Sequence, residues 1–565
     1  MVYYLDMASI IGKKQGNKTY YYLAESARVD GKPRIVSQQY LGSADEIAER
    51  LAGVGPGEPA RVQQRSFGAV AAVWSMIERL DIAGIVNDVV GPRRADAATS
   101  VGTYTALAIA NRVVAPCSKL SFDDWWDTTV GPRLVKLPKG ATDHRRFWDA
   151  MDTLTEHDIV QIEDRVTTRM ADVFDVDLSA LMLDMTNFAT FIDSANARNT
   201  IAQRGHAKQK RVDLRLVGLA MAVTRDGAIP IYSHAYAGNR PDVTQFGDAI
   251  TTLAARYADH NPDSDMPTVV FDAGCDSAAN LDLVESAGLG YVGSLVVTNH
   301  QDLLQIPASK FETLDGFDGV TFHETTTHAL GAQRRVVITH SHTFHQAQLR
   351  GFEQSLAKAR RRLAELAARL RRGKTRRDRP AVEADIAAIC RDDRVGRVID
   401  WELTGDTPAT FALTWTTNTT KRRRIERQIF GKRILFTNRP WPASDIVASY
   451  RSQADVEAGF RQLKDRHVIA FNPMFHWTDQ KIRVHALHCV TALAVAHLMR
   501  RAAHHDGLDL SVRELLRHLD GIAEITLLYP GKRGRPRARR QLTDMTPTQQ
   551  SLYDLFDLDN YAPTR

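Results

Sequence analysis

Cysteine is scarce in this chain: four in 565 residues. Cys117, Cys275, Cys390 and Cys489 show no Cys-x2-Cys or Cys/His spacing, which argues against a zinc framework or a disulfide scaffold and suits a reduced compartment. Long apolar runs are also lacking; no uncharged stretch reaches the roughly 18 residues a membrane helix needs. The start, Met1-Val-Tyr-Tyr-Leu-Asp6, has neither the basic flank nor the apolar core of a secretory signal. A cytoplasmic protein without a membrane partner is expected. A nucleotide phosphate loop is missing too. Gly373-Lys-Thr375 has the tail of one, but Ala368 stands where its first Gly is required, and Asn17 separates Gly16 from Lys18. ATP-driven transport or helicase activity is therefore disfavoured. A large excess of one sign of charge is lacking too; the net charge is +6 and the pI about 9.0. That balance suits nucleic acid where the cationic residues cluster, and here they do.

At 565 residues and 44% hydrophobic, the chain has material for about three to five structural units. Residues 1–60 alternate polar and aromatic groups around a turn at Asp30-Gly31 and end in the linker Gly53-Val-Gly-Pro-Gly57, a small hairpin module. Over 61–172 helical periodicity dominates, as in Val73-Trp74-Ile77-Leu80 and Leu107-Ala108-Val113. This all-helical region is the expected DNA-binding part. The period then changes. An apolar run ends at Asp184, runs at 214–223 and 228–236 flank the turn Arg225-Asp-Gly227, a helix is expected at 245–257, and strands at 268–271 and 291–298.

Three carboxylates stand out in this order. Asp184, in Leu181-Met-Leu-Asp184-Met-Thr186, and Asp272, in Val269-Val-Phe-Asp272-Ala-Gly274, each end a strand-like run. Glu457 lies in Tyr450-x2-Gln453-x3-Glu457-x6-Lys464, and positions 450, 457 and 464 fall within about 40° of one another on a helix. Val456, Phe460 and Leu463 form an apolar stripe beside them that docks such a helix on a sheet. Carboxylates at strand ends and on a facing helix suit two divalent cations about 3.5–4 Å apart, which stabilise an in-line displacement at phosphorus. Singly, each residue has an ordinary reading: an Asp after a strand is commonly a turn or cap, and a lone Glu is a surface residue. Asp177, Asp193, Asp276 and Asp282 compete, but do not directly end apolar runs. His485 and His488 read as structural rather than as ligands, because no Glu-x2-His set accompanies them.

With these residues the chain resembles the DDE transposases of bacterial insertion sequences, in the subgroup with a Tyr-x2-Arg-x3-Glu-x6-Lys signature. Tyr450, Glu457 and Lys464 match it, and Gln453 stands where Arg is usual. Asp184 and Asp272 match the family's two catalytic Asp. Further similar segments are Arg204-Gly-His-Ala-Lys208 with Arg211-Val-Asp-Leu214, Gly238-Asn239 with Asp242, Leu435-Phe-Thr-Asn438, His476-Trp477, and Tyr22-Leu23 through Gln39-Tyr-Leu-Gly42. The resemblance implies a multidomain α/β chain whose ribonuclease-H-like mixed sheet is flanked by helices. Strand, hairpin, helix, strand, helix, strand and Glu helix are its order. The catalytic part is expected at 173–300 and 433–505. The span from Asp272 to Glu457 is far longer than that fold requires, so an insertion is expected at 301–432.

The same resemblance implies Asp184, Asp272 and Glu457 as catalytic residues and ligands of Mg2+, with Mn2+ as a substitute. It also implies double-stranded DNA as the partner, near the nucleoid, with cleavage at terminal inverted repeats and strand transfer into a target. Tyr450, Arg451, Gln453, Arg461 and Lys464 are the expected phosphate contacts. Arg422, Arg423 and Arg424 form a second basic cluster. Arg533 and Arg535 sit in an Arg-Gly-Arg-Pro core similar to an AT-hook, within a basic tail at 506–565 that a disordered linker would explain equally. Leu349, Phe352, Leu356, Ala359, Leu363, Leu366 and Leu370 make an a/d heptad series on an arginine-rich hairpin, compatible with a homodimer or with packing inside one chain. The rival functions are an inactive DNA-binding descendant and a metal-dependent nuclease without strand transfer.

Overall fold

The computed structural model describes the chain apart from residues 1–6, 17, 30–31, 53–58, 194, 206–212, 261–266, 374–375, 473, 530–536 and 565. The Asp30-Gly31 turn, the 53–57 linker, most of the 204–214 motif and both Arg533 and Arg535 therefore lie outside the described residues.

Strands β1 (Met7–Gln15), β2 (Lys18–Val29) and β3 (Lys32–Ser43) form an antiparallel meander, closed by a helix at Ala44–Ala52. Strand β4 (Arg61–Ser66) then leads into helices including Gly68–Arg79, Val101–Val114 and Glu156–Phe174. Ser100 and Thr155 cap the last two by accepting from the backbone N–H groups of Thr103 and Asp158. These helices join the main core. Ten residues of the Gly68–Arg79 helix are buried, and Arg112 Nη1 donates to the Ala470 carbonyl at 2.8 Å.

The centre of the molecule is a mixed nine-stranded sheet. Its strands are β5 (Ala180–Ala189), β6 (Leu216–Thr224), β7 (Pro230–Ala237), β8 (Thr268–Val270), β9 (Gly290–Leu295), β10 (Glu312–Thr313), β11 (Val320–Ala329), β12 (Ala332–Ser341) and β15 (Lys432–Thr437). They run in the order β10-β11-β12-β15-β9-β8-β5-β6-β7. β5 pairs parallel with β8, and β8 with β9; the other neighbours are antiparallel. Strands β6, β8 and β9 are buried throughout, as expected where helices cover both faces. One of the helices packed on the sheet, Asp479–His505, is long and apolar enough to cross a membrane, but 94% of its apolar window is buried inside the protein. It is a core helix, packed on β7 and on the Val101–Val114 helix.

Two expectations need correction. Strands β10 to β12 were placed inside the 301–432 insertion, yet β12 pairs with β15, so this segment extends the main sheet. What stands apart is the stretch from the helix His342–Arg371 to Phe430, with β13 (Ile399–Thr404), β14 (Ala412–Thr417) and its own apolar cluster. Phe352, Leu356, Ala359, Leu363, Leu366 and Leu370 are buried within that cluster, so the heptad face is satisfied inside one chain. Nor is 506–565 a tail. The helix Val512–Asp520, β16 (Ala523–Tyr529), β17 (Arg537–Leu542) and the helix Pro547–Leu555 fold there, and β16 pairs with both β17 and β4. Arg537, Arg539 and Arg540 of the basic run lie in β17.

Candidate functional site

Parallel pairing sets the two Asp at one level. The paired run of β5 and β8 ends at Met182 and Val270, and Asp184 and Asp272 each lie two residues further on. Parallel neighbours stand about 4.8 Å apart, so both carboxylates belong to the same end of the sheet. Asp184 is half-buried within β5, and its Oδ1 accepts from Met185 N at 2.7 Å. Asp272 is exposed just past β8, where its Oδ1 caps the turn Ala273–Cys275 by accepting from Gly274 N at 2.9 Å. A Cβ at Gly274 would stand 3.0 Å from that oxygen, so glycine keeps this cap open.

Two hydrogen bonds fix Glu457 against β5. Its helix, Gln453–Lys464, begins where Gln453 Nε2 donates to the Leu183 carbonyl at 3.0 Å, and ends where Lys464 Nζ donates to Thr186 Oγ1 at 2.7 Å. The acceptors flank Asp184 in sequence, and Glu457 lies between the two donors. Val456, Phe460 and Leu463 are buried beneath the helix, as the apolar stripe required. Gly459 permits the close approach to β6, since a Cβ there would stand 3.1 Å from Met221 Cε. Tyr450 lies on the preceding helix, Ala443–Arg451; the single residue Ser452 separates the two, and its hydroxyl bonds the Ala448 carbonyl at 3.2 Å. Such back-bonding bends helices, and the uninterrupted helix expected from Tyr450 to Lys464 is corrected accordingly.

Asp272, Glu457 and Tyr450 nevertheless share one cavity of about 460 Å³, lined as well by Arg433, Arg451 and Gln453. Asp184 is not among its lining residues. Asp276 stands close by. Burial, reinforced by the negative charge of Asp272, pushes its carboxyl up to about 7, and its Oδ1 is buried with no hydrogen-bond partner. The available ligands are hard oxygens, the kind Mg2+ prefers. As folded, no group of three or more His, Cys, Asp or Glu among the described residues stands close enough to hold an ion. The donor chemistry fits a divalent cation, and in this structure Asp272 and Glu457, but not Asp184, line the cavity.

The expected DNA contacts divide. Arg451 stacks over Phe317, 4.6 Å from its ring centre, and Arg461 is exposed on the Glu457 helix. Gln453 is buried at the cavity wall, where its Nε2 donates to the Leu183 carbonyl; it anchors the helix as well as lining the cavity. Arg422 is paired with Glu353 and Arg424 Nε with Gln428 at 3.0 Å, whereas Arg423 is exposed. Arg433 escaped the sequence reading. It reaches the Tyr450 hydroxyl at 3.4 Å and stacks on Phe344 at 4.5 Å. The one signal was its position at the start of the strand carrying Leu435-Phe-Thr-Asn438. That motif is structural: Asn438 Oδ1 accepts from Tyr291 N at 2.9 Å and Thr437 Oγ1 donates to Tyr291 O at 2.6 Å, tying β15 to β9. His485 and His488 are buried and His476 half-buried, and burial holds all three imidazoles below their usual range.

The family model described as "Transposase DDE domain" matches residues 179–473. That span holds all three carboxylates and the cavity. Among curated proteins none matches. One solved structure, a cryo-EM structure of a piggyBac transposase synaptic complex with hairpin DNA, is similar at 10% identity over 82% of each chain, with a TM-score of 0.35.

Proposed function

The chain belongs to the family with a transposase DDE domain and is a DNA transposase, and from that premise we propose that it serves a bacterial insertion sequence of the Tyr-x2-Arg-x3-Glu-x6-Lys subgroup. It binds the terminal inverted repeats, hydrolyses a strand at each end, and directs the freed 3′-hydroxyl onto target DNA. The observation that carries this reading is the pair of bonds from Gln453 and Lys464 to the residues around Asp184, which sets Glu457 over the sheet end where Asp184 and Asp272 emerge. The chain order β5, β6–β7 hairpin, helix, β8, helix, β9 and Glu457 helix supports a ribonuclease-H-like core.

In this proposal Asp184, Asp272 and Glu457 would hold Mg2+, or Mn2+ in its place, which would supply charge neutralisation at the scissile phosphate and acidify the attacking water or hydroxyl. The chain's own contribution is positioning. Arg433 and the Tyr450 hydroxyl face a phosphate in the cavity, Arg451 and Lys464 extend that contact along the strand, and the cavity walls orient the phosphodiester for in-line attack. A homodimer holds the two ends.

The test is incubation of the purified chain with Mg2+ and a labelled duplex bearing the element's terminal repeat, resolved on a denaturing gel beside Glu457→Gln. Cleavage at the repeat boundary that the variant lacks, followed by joined products with a target duplex, is the expected result. Cutting without joining would identify a nuclease, and binding without cutting in either metal an inactive DNA-binding descendant.

A further inference from the structure

The meander β1–β3 contrasts with the buried centre of the main sheet. Residues Lys32–Tyr40 of β3 are exposed on both faces, although the strand is paired along its length. A paired strand left bare on both sides has no core to serve. Its side chains are available to something else.

One face has a defined composition. The register sets Lys13 opposite Tyr20, Tyr22 opposite Tyr40 and Ala24 opposite Gln38. The side chains meet accordingly. The Tyr40 ring lies 6.1 Å from Tyr20 and 5.3 Å from Tyr22, and Lys13 Nζ lies 5.1 Å from the Tyr22 ring centre while donating to Gln38 Oε1 at 2.9 Å. Tyr40 is 50% exposed. Between positions 7 and 43 the sequence carries six basic residues, Lys13, Lys14, Lys18, Arg28, Lys32 and Arg34, against the two acids Glu25 and Asp30. This small module thus holds a large part of the chain's net +6.

That charge calls for an anionic occupant, and the amide and ammonium groups suit one with hydrogen-bonding edges. Duplex DNA offers both. A β-sheet face enters the major groove, where Lys reads the guanine O6 and N7 acceptors and Gln the adenine edge. The tyrosine rings would lie against sugar and thymine methyl groups. The helical region 61–172 presents no comparable face in its leading helix, which spends ten residues on the core. Building on the transposase reading above, we propose that the β1–β3 face centred on Lys13, Gln38 and Tyr40 docks in the major groove of the terminal-repeat DNA and supplies its sequence recognition.

The test measures affinity of the full chain for the element's terminal-repeat duplex and for a scrambled duplex of equal length, at one salt concentration. Wild type is compared with the triple variant Lys13→Ala, Gln38→Ala, Tyr40→Ala, and wild-type cleavage of the repeat is recorded in parallel. The proposal expects the repeat-to-scrambled preference to fall by roughly tenfold or more, with the melting temperature unchanged. A folded variant that keeps its preference overturns the proposal and leaves the transposase reading intact, provided wild type cuts the repeat. Wild type with neither preference nor cleavage overturns both. A variant that keeps its preference but passes from dimer to monomer in sedimentation assigns the face to a second copy of the chain, and overturns the proposal as well.

Discussion

Strand β6 pairs antiparallel with β5 and β7, and β3 pairs antiparallel with β2; β6 is buried at all nine of its residues and β3 is exposed at nine of its twelve. Their sequences explain the contrast. Leu-Val-Gly-Leu-Ala-Met-Ala-Val-Thr has no charge to keep wet, while Lys-Pro-Arg-Ile-Val-Ser-Gln-Gln-Tyr-Leu-Gly-Ser has little to bury. The first kind of strand fixes carboxylates to a rigid frame, and the second leaves recognition groups in solvent. Chemistry and recognition are thus expected to fail separately. Glu457→Gln should cut cleavage by roughly 10²–10³-fold or more, the scale of losing one electrostatic stabiliser, with repeat binding and melting temperature unchanged. A parallel loss of binding in that variant would break the separation.

Stability should divide along the same line. Leu219, in the centre of β6, is fully buried, and Ile35 on β3 is 49% exposed. Leu219→Ala should destabilise by about 2–5 kcal/mol through lost transfer energy and the cavity left behind. Ile35→Ala should stay within about 0.5 kcal/mol. Urea unfolding of the two variants checks this, and similar midpoints would show that the meander also has a buried role.

Acid should act on the buried side alone. His497 on the core helix donates from Nδ1 to the Ala228 carbonyl at 2.6 Å, and its Nε2 meets the Gln462 side-chain amide at 3.1 Å. Burial, with the Arg500 charge adding to it, pulls its pKa from 6.5 down to about 3. The unfolded chain therefore takes up a proton that the folded chain refuses between these values. The stability contribution is complete above about pH 6.5 and is lost as pH falls toward about 3. Thermal unfolding across that window should show a steeper decline for wild type than for His497→Gln. Equal slopes would mean that the imidazole is solvated in the folded chain.

Much of the frame around the candidate site was legible because its signals are local. Apolar runs closed by Asp184 and Asp272, and a helix with a buried stripe beside Glu457, follow from periodicities of a few residues. What escaped is non-local. The pairing of β12 with β15 spans the whole helical cluster between them, and β16 joins β4 from the other end of the chain; periodicity cannot report a partner that distant. The anchoring role of Gln453 was hidden for a related reason. A polar residue beside a phosphate-binding signature reads as a surface contact until its amide is seen on the Leu183 carbonyl. The basic residues were found more easily than their roles, since only packing distinguishes Arg422, paired with Glu353, from the exposed Arg423.

Arg433 gives the smallest and sharpest test of the division between frame and recognition face. It rises from β15, a frame strand, but its guanidinium lies over Phe344 and near the Tyr450 hydroxyl in the cavity, so it should touch phosphate without reading sequence. Arg433→Met retains the stem that packs on Phe344 and removes the charge. The expected loss is uniform across DNA sequences: a few-fold weaker binding to repeat and scrambled duplex alike, with the slope of log affinity against log salt reduced by about one. The preference for the repeat stays where it was. If Arg433→Met instead lowered that preference, the cavity itself would be reading bases, and recognition could not be confined to the exposed sheet.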